Sequence, residues 1–183
     1  RRTSLMPNYN GVWSLSTHYQ NRTDWPTFIP TRALFAGGHN ENASTVSDVI
    51  QYIDITSTGN AIDFGDLAAA THSHAALGSA VRGVFGGGNT GSLINVIQFV
   101  NIANTGNTTD FGNLSAAKYR LSAMGSGTRG IFGGGSTGSL INVMEYITIA
   151  SAGDVTDFGD LSGTRESMAG FASTTRGVFA GGD

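Results

Sequence analysis

The feature that most constrains this chain is that it repeats itself. Four segments align, Arg32-Ala33-Leu34-Phe35-Ala36-Gly37-Gly38, Arg82-Gly83-Val84-Phe85-Gly86-Gly87-Gly88, Arg129-Gly130-Ile131-Phe132-Gly133-Gly134-Gly135 and Arg176-Gly177-Val178-Phe179-Ala180-Gly181-Gly182, and their arginines stand 50, 47 and 47 residues apart. A second anchor, Asp-Phe-Gly followed by a polar residue and Leu, recurs at Asp63 to Leu67, Asp110 to Leu114 and Asp157 to Leu161, spaced 47 and 47. The three extra residues of the first interval therefore fall in His39 to Ser47. A fixed period of this length marks a repeat architecture, in which each unit buries its apolar faces only against its neighbours.

Each unit reads as four short strands. After the double glycine and a polar loop come Val49 to Ile55, Val96 to Ile102 and Val143 to Ile149, rich in Val, Ile, Tyr and Phe and long enough for one strand each. Small turns follow (Ser57-Thr58-Gly59-Asn60, Asn104-Thr105-Gly106-Asn107, Ser151-Ala152-Gly153-Asp154), and then the Asp-Phe-Gly strand. A polar link leads to a further strand at Ser73 to Ser79, Arg120 to Ser126 and Ser167 to Ser173, and a tight turn returns the chain to the next arginine. Helix competes only over the Ala-rich Leu67 to Ala76, whose counterparts Ser115 to Ala123 and Ser162 to Gly170 carry Gly and Ser. The Tyr/Phe strands are apolar on both faces, since Ile50 and Tyr52 point one way and Val49, Ile53 and Ile55 the other. Such a strand needs cover on both sides, which four-stranded units stacked around an axis supply.

Composition narrows the function classes. The net charge is -3, and nine arginines with a single lysine, Lys118, are spread thinly, leaving no basic stripe for a row of phosphates. No nucleic-acid partner is expected. The absence of cysteine excludes disulfides, thiolate nucleophiles and zinc-thiolate sites. No apolar run reaches the length of a membrane helix, so no membrane insertion is expected.

A polar strand with Arg near its start (Arg120, Arg165), a short hydrophobic strand ending in Gly-Gly, then Tyr52, Phe99 or Tyr146, then an aromatic about a dozen residues on (Phe64, Phe111, Phe158) resembles the kelch repeat. The resemblance covers Arg32 to Asp183, with one departure: the last aromatic, usually Trp in kelch units, is always Phe. It implies an all-β, kelch-like β-propeller of about three and a half four-stranded blades, part of a larger or shared ring. The chain divides into a lead-in segment, 1–31, and repeats at 32–81, 82–128, 129–175 and a partial 176–183. The Thr-Gly-Asn turns with Asp-Phe-Gly, and the opening Asn8 to Leu15 through Trp25-Pro26, are similar to virion proteins of marine tailed phages, often cyanophages. That likeness implies a virion location, in a tail fibre or other appendage.

Several motifs look like chemistry and read better as structure. Gly86 to Gly91 and Gly133 to Gly138 both satisfy G-x-G-x-x-G, but they precede strands rather than the helix that would present its N-terminus to a pyrophosphate. Asp-Phe-Gly holds magnesium in a kinase, yet a kinase carries one copy together with a lysine strand and a catalytic loop. In His72-Ser73-His74, His74 aligns with Leu121 and Met168 and is expected partly buried, whereas His72 aligns with Tyr119 and Glu166 and is expected at the surface; no metal site is expected. The acids Asp63, Asp110 and Asp157 recur one per unit instead of converging as a catalytic pair. No nucleophile elbow is recognisable. The sequons at Asn21, Asn42, Asn107 and Asn113 are ascribed to chance in an Asn/Ser/Thr-rich chain.

No catalytic residue, cofactor or metal is assigned, and the chain is expected not to be an enzyme. The structural anchors are Arg32, Arg82, Arg129, Arg176, Asp63, Asp110, Asp157, Phe64, Phe111 and Phe158, with the arginines and aspartates expected to pair as a polar ladder at one rim. The candidate recognition loop is His39, Asn40, Glu41, Asn42, Ala43 and Ser44, where the repeat is interrupted. The expected role is a structural and binding module whose partners are other virion proteins or further copies of itself, and a host-surface glycan or protein. The alternatives are a cellular kelch-type adaptor and a propeller enzyme acting on sugars. A strand at Gly11 to Thr17 would bring the strands to fourteen, short of a closed four-bladed ring, which leaves apolar faces needing cover.

Overall fold

The computed structural model describes residues 31–183, and every regular element among them is a β-strand. The lead-in, the strand expected at Gly11 to Thr17 and the sequon at Asn21 lie outside the described residues. In chain order, β1 (Arg32–Ala36) is followed by a ribbon of two short strands, β2 (His39–Asn40) and β3 (Thr45–Val46), and then by β4 (Val49–Asp54) and β5 (Ile62–Asp66). β1, β4 and β5 form a three-stranded antiparallel sheet. The second sheet consists of β6 (Ala75–Gly78), β7 (Arg82–Gly86), β8 (Val96–Asn101) and β9 (Thr109–Asn113). The third repeats it as β10 (Ser122–Gly125), β11 (Arg129–Gly133), β12 (Val143–Thr148) and β13 (Thr156–Asp160), and β14 (Ala169–Ala172) pairs with β15 (Gly177–Ala180) in a last, two-stranded sheet. The two four-stranded sheets are meanders of consecutive strands, and in the first sheet the β2–β3 ribbon is inserted between the paired strands β1 and β4.

The expected strand order holds, with β2 and β3 appearing where the three extra residues were placed. The strands expected from Ser73, Arg120 and Ser167 begin two residues later. Those three residues adopt left-handed φ values of 56°, 53° and 57°, which extended pairing does not accommodate. The kelch-like placement of Arg120 and Arg165 near a strand start is corrected accordingly: Arg120 sits in this turn, and Arg165 lies in the link before β14.

The cores lie between sheets. Ile50, Phe64 and Leu67 of the first repeat pack with Phe85 and Val100 of the second. A larger cluster joins Val84, Ile97, Phe111 and Leu114 to Phe132, Ile147 and Ile149. The first strands of the later sheets, β6, β10 and β14, lie side by side. Burial follows the availability of neighbours: Phe64 and Phe111 are each 2% exposed, whereas Phe158, at the same place in the third sheet, is 44% exposed. At the other end Phe35 is 57% exposed, although its counterparts Phe85 and Phe132 are 3% and 1% exposed. Residues 31–183 do not display a closed ring.

The Asp-Phe-Gly anchor has a packing explanation. Its Phe enters the core, and its glycine takes a φ of 147° at Gly65 and Gly112, where the turn of the following sheet comes down on it. A side chain at Gly65 would strike the Gly106 carbonyl, and one at Gly112 the Gly153 carbonyl. The register shifts opposite these glycines, between Ile50 and Gln51, Ile97 and Gln98, and Met144 and Glu145. The residue passed over in each register shift is the Phe of the anchor, Phe64, Phe111 or Phe158, and a bulge re-aims the side chain that it carries; on the facing strands Gln98 and Glu145 are buried.

Candidate functional site

The anchor residues assemble differently from the expected ladder. The guanidinium of Arg32 lies 4.6 Å from the Tyr52 ring centre, that of Arg82 4.4 Å from Phe99, and that of Arg129 4.4 Å from Tyr146. Each ring then meets the Asp-Phe-Gly phenylalanine edge-on, at centroid distances of 6.0, 5.9 and 6.1 Å for Phe64, Phe111 and Phe158. Arg32 donates to the carbonyls of Ile102 and Ala103 (2.9 and 3.1 Å), and Arg82 to that of Ile149 (2.8 Å), in each case reaching the next sheet. The Arg-Asp ladder is therefore corrected: among the described residues Asp63, Asp110 and Asp157 form no ion pair with an arginine. They are exposed, and the aromatic face and the carbonyls satisfy the guanidinium instead. Among the described residues Arg176 bonds only locally, its backbone N–H donating to Ser173 Oγ at 3.1 Å.

Two families of loops share one side of the molecule. The loop after each double glycine is hydrogen-bonded to the neighbouring links: Gly38, Gly88 and Gly135 N–H donate to Thr71, Lys118 and Arg165 carbonyls at 2.9, 2.8 and 2.8 Å. His72 and Asn89 exchange backbone bonds of 3.1 and 2.9 Å, and Tyr119 and Ser136 do the same. The left-handed residues are joined in series, Arg120 N–H to Ser73 carbonyl and Ser167 N–H to Arg120 carbonyl, both 2.8 Å. These bonds offset a backbone conformation that costs about 1–2 kcal/mol in an L-residue. Sequence reasoning missed this row, because Ser and Arg carry no signal for left-handed φ.

The candidate recognition loop, His39 to Ser44, stands on this side and is exposed throughout. β2 and β3 carry it, Asn40 Oδ1 accepts the Ala43 N–H at 3.2 Å, and Ser44 closes the turn with a φ of 52°. The His39 ring lies 5.6 Å from that of His72, so the first repeat's loop touches the link to the second. Beyond it, Arg120 bonds Glu166 at 2.7 Å and lies over Tyr119. The bond to Glu166 raises the Arg120 pKa. Loops bearing imidazole, amide, hydroxyl and guanidinium groups can contact polar ligands. No group of three or more metal-ligating side chains occurs among the described residues.

The histidine pair divides as follows. His74 is mostly buried against Phe85, its rings 6.0 Å apart, and its Nδ1 has no partner among the described residues. Burial lowers its pKa, and His72 adds to the effect. His72 is half-buried rather than at the surface, and its Nδ1 is 3.0 Å from Ser73 Oγ.

Sequence reasoning also missed a buried ion pair. Lys118 and Glu145 meet between the second and third sheets with both side chains 2% exposed, and Glu145 Oε2 accepts the Ser115 N–H at 3.1 Å. A glutamate inside the apolar run Val143 to Ile149 was the available signal. One further group is displaced at the surface: Thr56, through its hydroxyl and backbone N–H, lowers the pKa of Asp54.

No known protein-family profile matches this chain. No curated protein sequence matches it either.

Proposed function

We propose that the chain is a non-enzymatic structural and binding module of a virion surface, in a tail fibre or similar appendage of a tailed phage. On this reading the sheets are blades of a kelch-like β-propeller, with three, four, four and two strands in sequence. Further strands, from other virion proteins or further copies of the chain, complete the ring. The observation that carries the proposal is the division of labour between joint and loop. The joints recur with the same contacts, Arg on aromatic and aromatic on Phe, while the loop at His39 to Ser44 alone departs from its counterparts. A stacked core of this kind tolerates change in its loops, which are then free to meet a host glycan or protein.

The test is binding of the labelled chain to host cells and to a glycan array, alongside a glycan-hydrolysis assay and pull-down of tail proteins. Saturable binding without hydrolysis is the expected result. Turnover of a glycan would favour the propeller-enzyme alternative. Association with tail proteins alone would leave a purely architectural role, and failure of every arm would overturn the proposal.

A further inference from the structure

Where the first sheet meets the second, the loop after the double glycine and the link behind it each carry an imidazole, His39 and His72. The equivalent positions are Asn89 and Tyr119 in the next repeat, and Ser136 and Glu166 in the one after, so the pairing of two imidazoles is particular to the first joint. Main-chain bonds fix both backbones. Gly38 N–H donates to the Thr71 carbonyl (2.9 Å), Thr71 N–H to the Ser47 carbonyl (3.1 Å) and Ser47 N–H to the Gly38 carbonyl (3.0 Å), which ties together the residues just before His39 and His72. His39 also pairs with Val46 across the β2–β3 ribbon, and His72 exchanges its backbone bonds with Asn89. The two ring centroids stand 5.6 Å apart, with planes inclined at 45°. With metal–nitrogen bonds of about 2.0–2.1 Å, two imidazoles on one tetrahedral ion place their centroids roughly 5.2 Å apart. A small movement of the exposed His39 side chain closes that difference. His72 Nδ1 lies 3.0 Å from Ser73 Oγ, which leaves Nε2 free, and a hydrogen bond on the other ring nitrogen is what orients a metal-bound imidazole. His74 faces Phe85 within the joint and takes no part.

We propose that His39 and His72 form a binding site for a divalent transition-metal ion of the imidazole-preferring class, zinc, nickel or copper, and that the ion clasps the recognition loop to the link. Two protein ligands are fewer than the three or four of resident zinc sites, so water fills the remaining positions and the ion exchanges with solution. The charge around the pair suits a cation. His39 to Asp48 contain two carboxylates, Glu41 and Asp48, and no lysine or arginine, and the link Leu67 to His74 carries no titratable residue besides its histidines. Magnesium and calcium prefer oxygen ligands and are excluded from this site by its chemistry. The inference uses the geometry of the joint alone and is independent of what the loop recognises.

The test is calorimetric titration of the untagged, chelator-stripped chain with zinc, nickel and copper(II) chlorides, with magnesium chloride as the control. Saturable binding of a transition-metal ion, and none of magnesium, is the expected result. His39→Asn and His72→Tyr copy the residues of the next repeat, which keeps the fold, and each should weaken binding on the order of tenfold or more. A second measurement reads the clasp itself. Glu41 is exposed, whereas Glu145 is buried and Glu166 is bonded to Arg120, so a glutamate-specific protease cuts first after Glu41. Zinc should slow that cut severalfold in the parent chain and leave it unchanged in either variant. Absence of saturable binding by all three ions overturns the proposal, as does binding that both substitutions leave intact, which would place the ion elsewhere. A cut that zinc does not slow in the parent also overturns it, because the ion would then not hold the loop.

Discussion

The Phe132 ring lies directly against the backbone of Gly86, so close that a Cβ at Gly86 would fall 2.7 and 2.9 Å from Cε1 and Cζ of that ring. Phe179 stands to Gly133 in the same way, at 2.9 Å. β11 and β15 thus each insert their Phe into a space that the Gly-Gly-Gly run of the preceding repeat leaves empty. Gly86→Val should lower stability by about 2–3 kcal/mol through overpacking. Gly86→Ala should cost less, because Ala36 occupies the equivalent position and packs with the cluster that contains Phe85. Urea denaturation of the two variants checks the order; equal stabilities would mean that the ring can move aside.

Lys118 and Glu145 provide a second prediction. Removing one partner, as in Lys118→Met, leaves an unpaired buried charge and should cost about 3–5 kcal/mol. The double replacement Lys118→Thr with Glu145→Gln copies the neutral pattern of the first joint, Thr71 with Gln98, and should recover most of that loss. A double-mutant cycle measures the recovery; additive losses would show that the two joints are not equivalent.

The arginine anchors should differ in strength. Arg82 combines the Phe99 face with a 2.8 Å bond to the Ile149 carbonyl, whereas Arg129 stacks on Tyr146 at the last complete sheet and is exposed. Arg82→Met should cost about 1–2 kcal/mol, and Arg129→Met clearly less. Asp110→Asn should leave the melting temperature within about a degree, since a surface change away from any partner has little effect. A large loss at Asp110 would restore a role for the aspartates.

Much of the fold was legible because two signals agreed: apolar strands such as Val96 to Ile102, and Gly-rich punctuation at a fixed period. The period also located the insertion that became β2 and β3. Side-chain partnership was less legible. Arg82 and Asp110 recur together in sequence, and opposite charge suggests a pair, but Arg82 spans to the next sheet's carbonyl while its stem and guanidinium cover Phe99. Carbonyl groups and ring faces leave no trace in a sequence pattern. Lys118 was equally hidden, since its counterpart Thr71 carries no charge, and only Glu145 within an apolar strand hinted that a cation must lie opposite. Of the candidate site, the loop's place and exposure could be read from the interrupted repeat, whereas its contact with His72 depends on how the link folds back.

His74 gives a pH-dependent prediction. Burial holds its folded-state pKa below the ordinary histidine value, so between that lowered value and about 6.5 the unfolded chain binds more protons than the folded one. Stability contributed by neutral His74 is therefore fully present above about pH 6.5 and is lost as pH falls towards the folded pKa. Asp54, whose pKa is also lowered, acts only below about pH 4. His74→Leu places the residue found at Leu121 and removes the unpartnered Nδ1. It should raise stability by about 1 kcal/mol at pH 7 and flatten the profile below about pH 6.5. Thermal melts across that range check both effects; an unchanged slope would mean that His74 does not titrate in the transition.

The last prediction concerns the loop that interrupts the repeat. Glu41, Asn42 and Ala43 are exposed, and the one side-chain bond in the turn, from Ala43 N–H to Asn40 Oδ1, is local. Shortening a loop of this size changes its closure entropy by only a few tenths of a kcal/mol. Deleting Glu41 to Ala43 makes the interval between Arg32 and Arg82 equal to the 47-residue spacing of the later repeats, whose loops at Asn89 and Ser136 are already hydrogen-bonded to their links. The deletion variant should therefore melt within about two degrees of the parent. If the loop is the recognition element, binding to host cells should fall at least severalfold while the melting temperature holds. Unchanged binding would remove the loop from the contact surface and point to the row of Ser73, Arg120 and Ser167 instead.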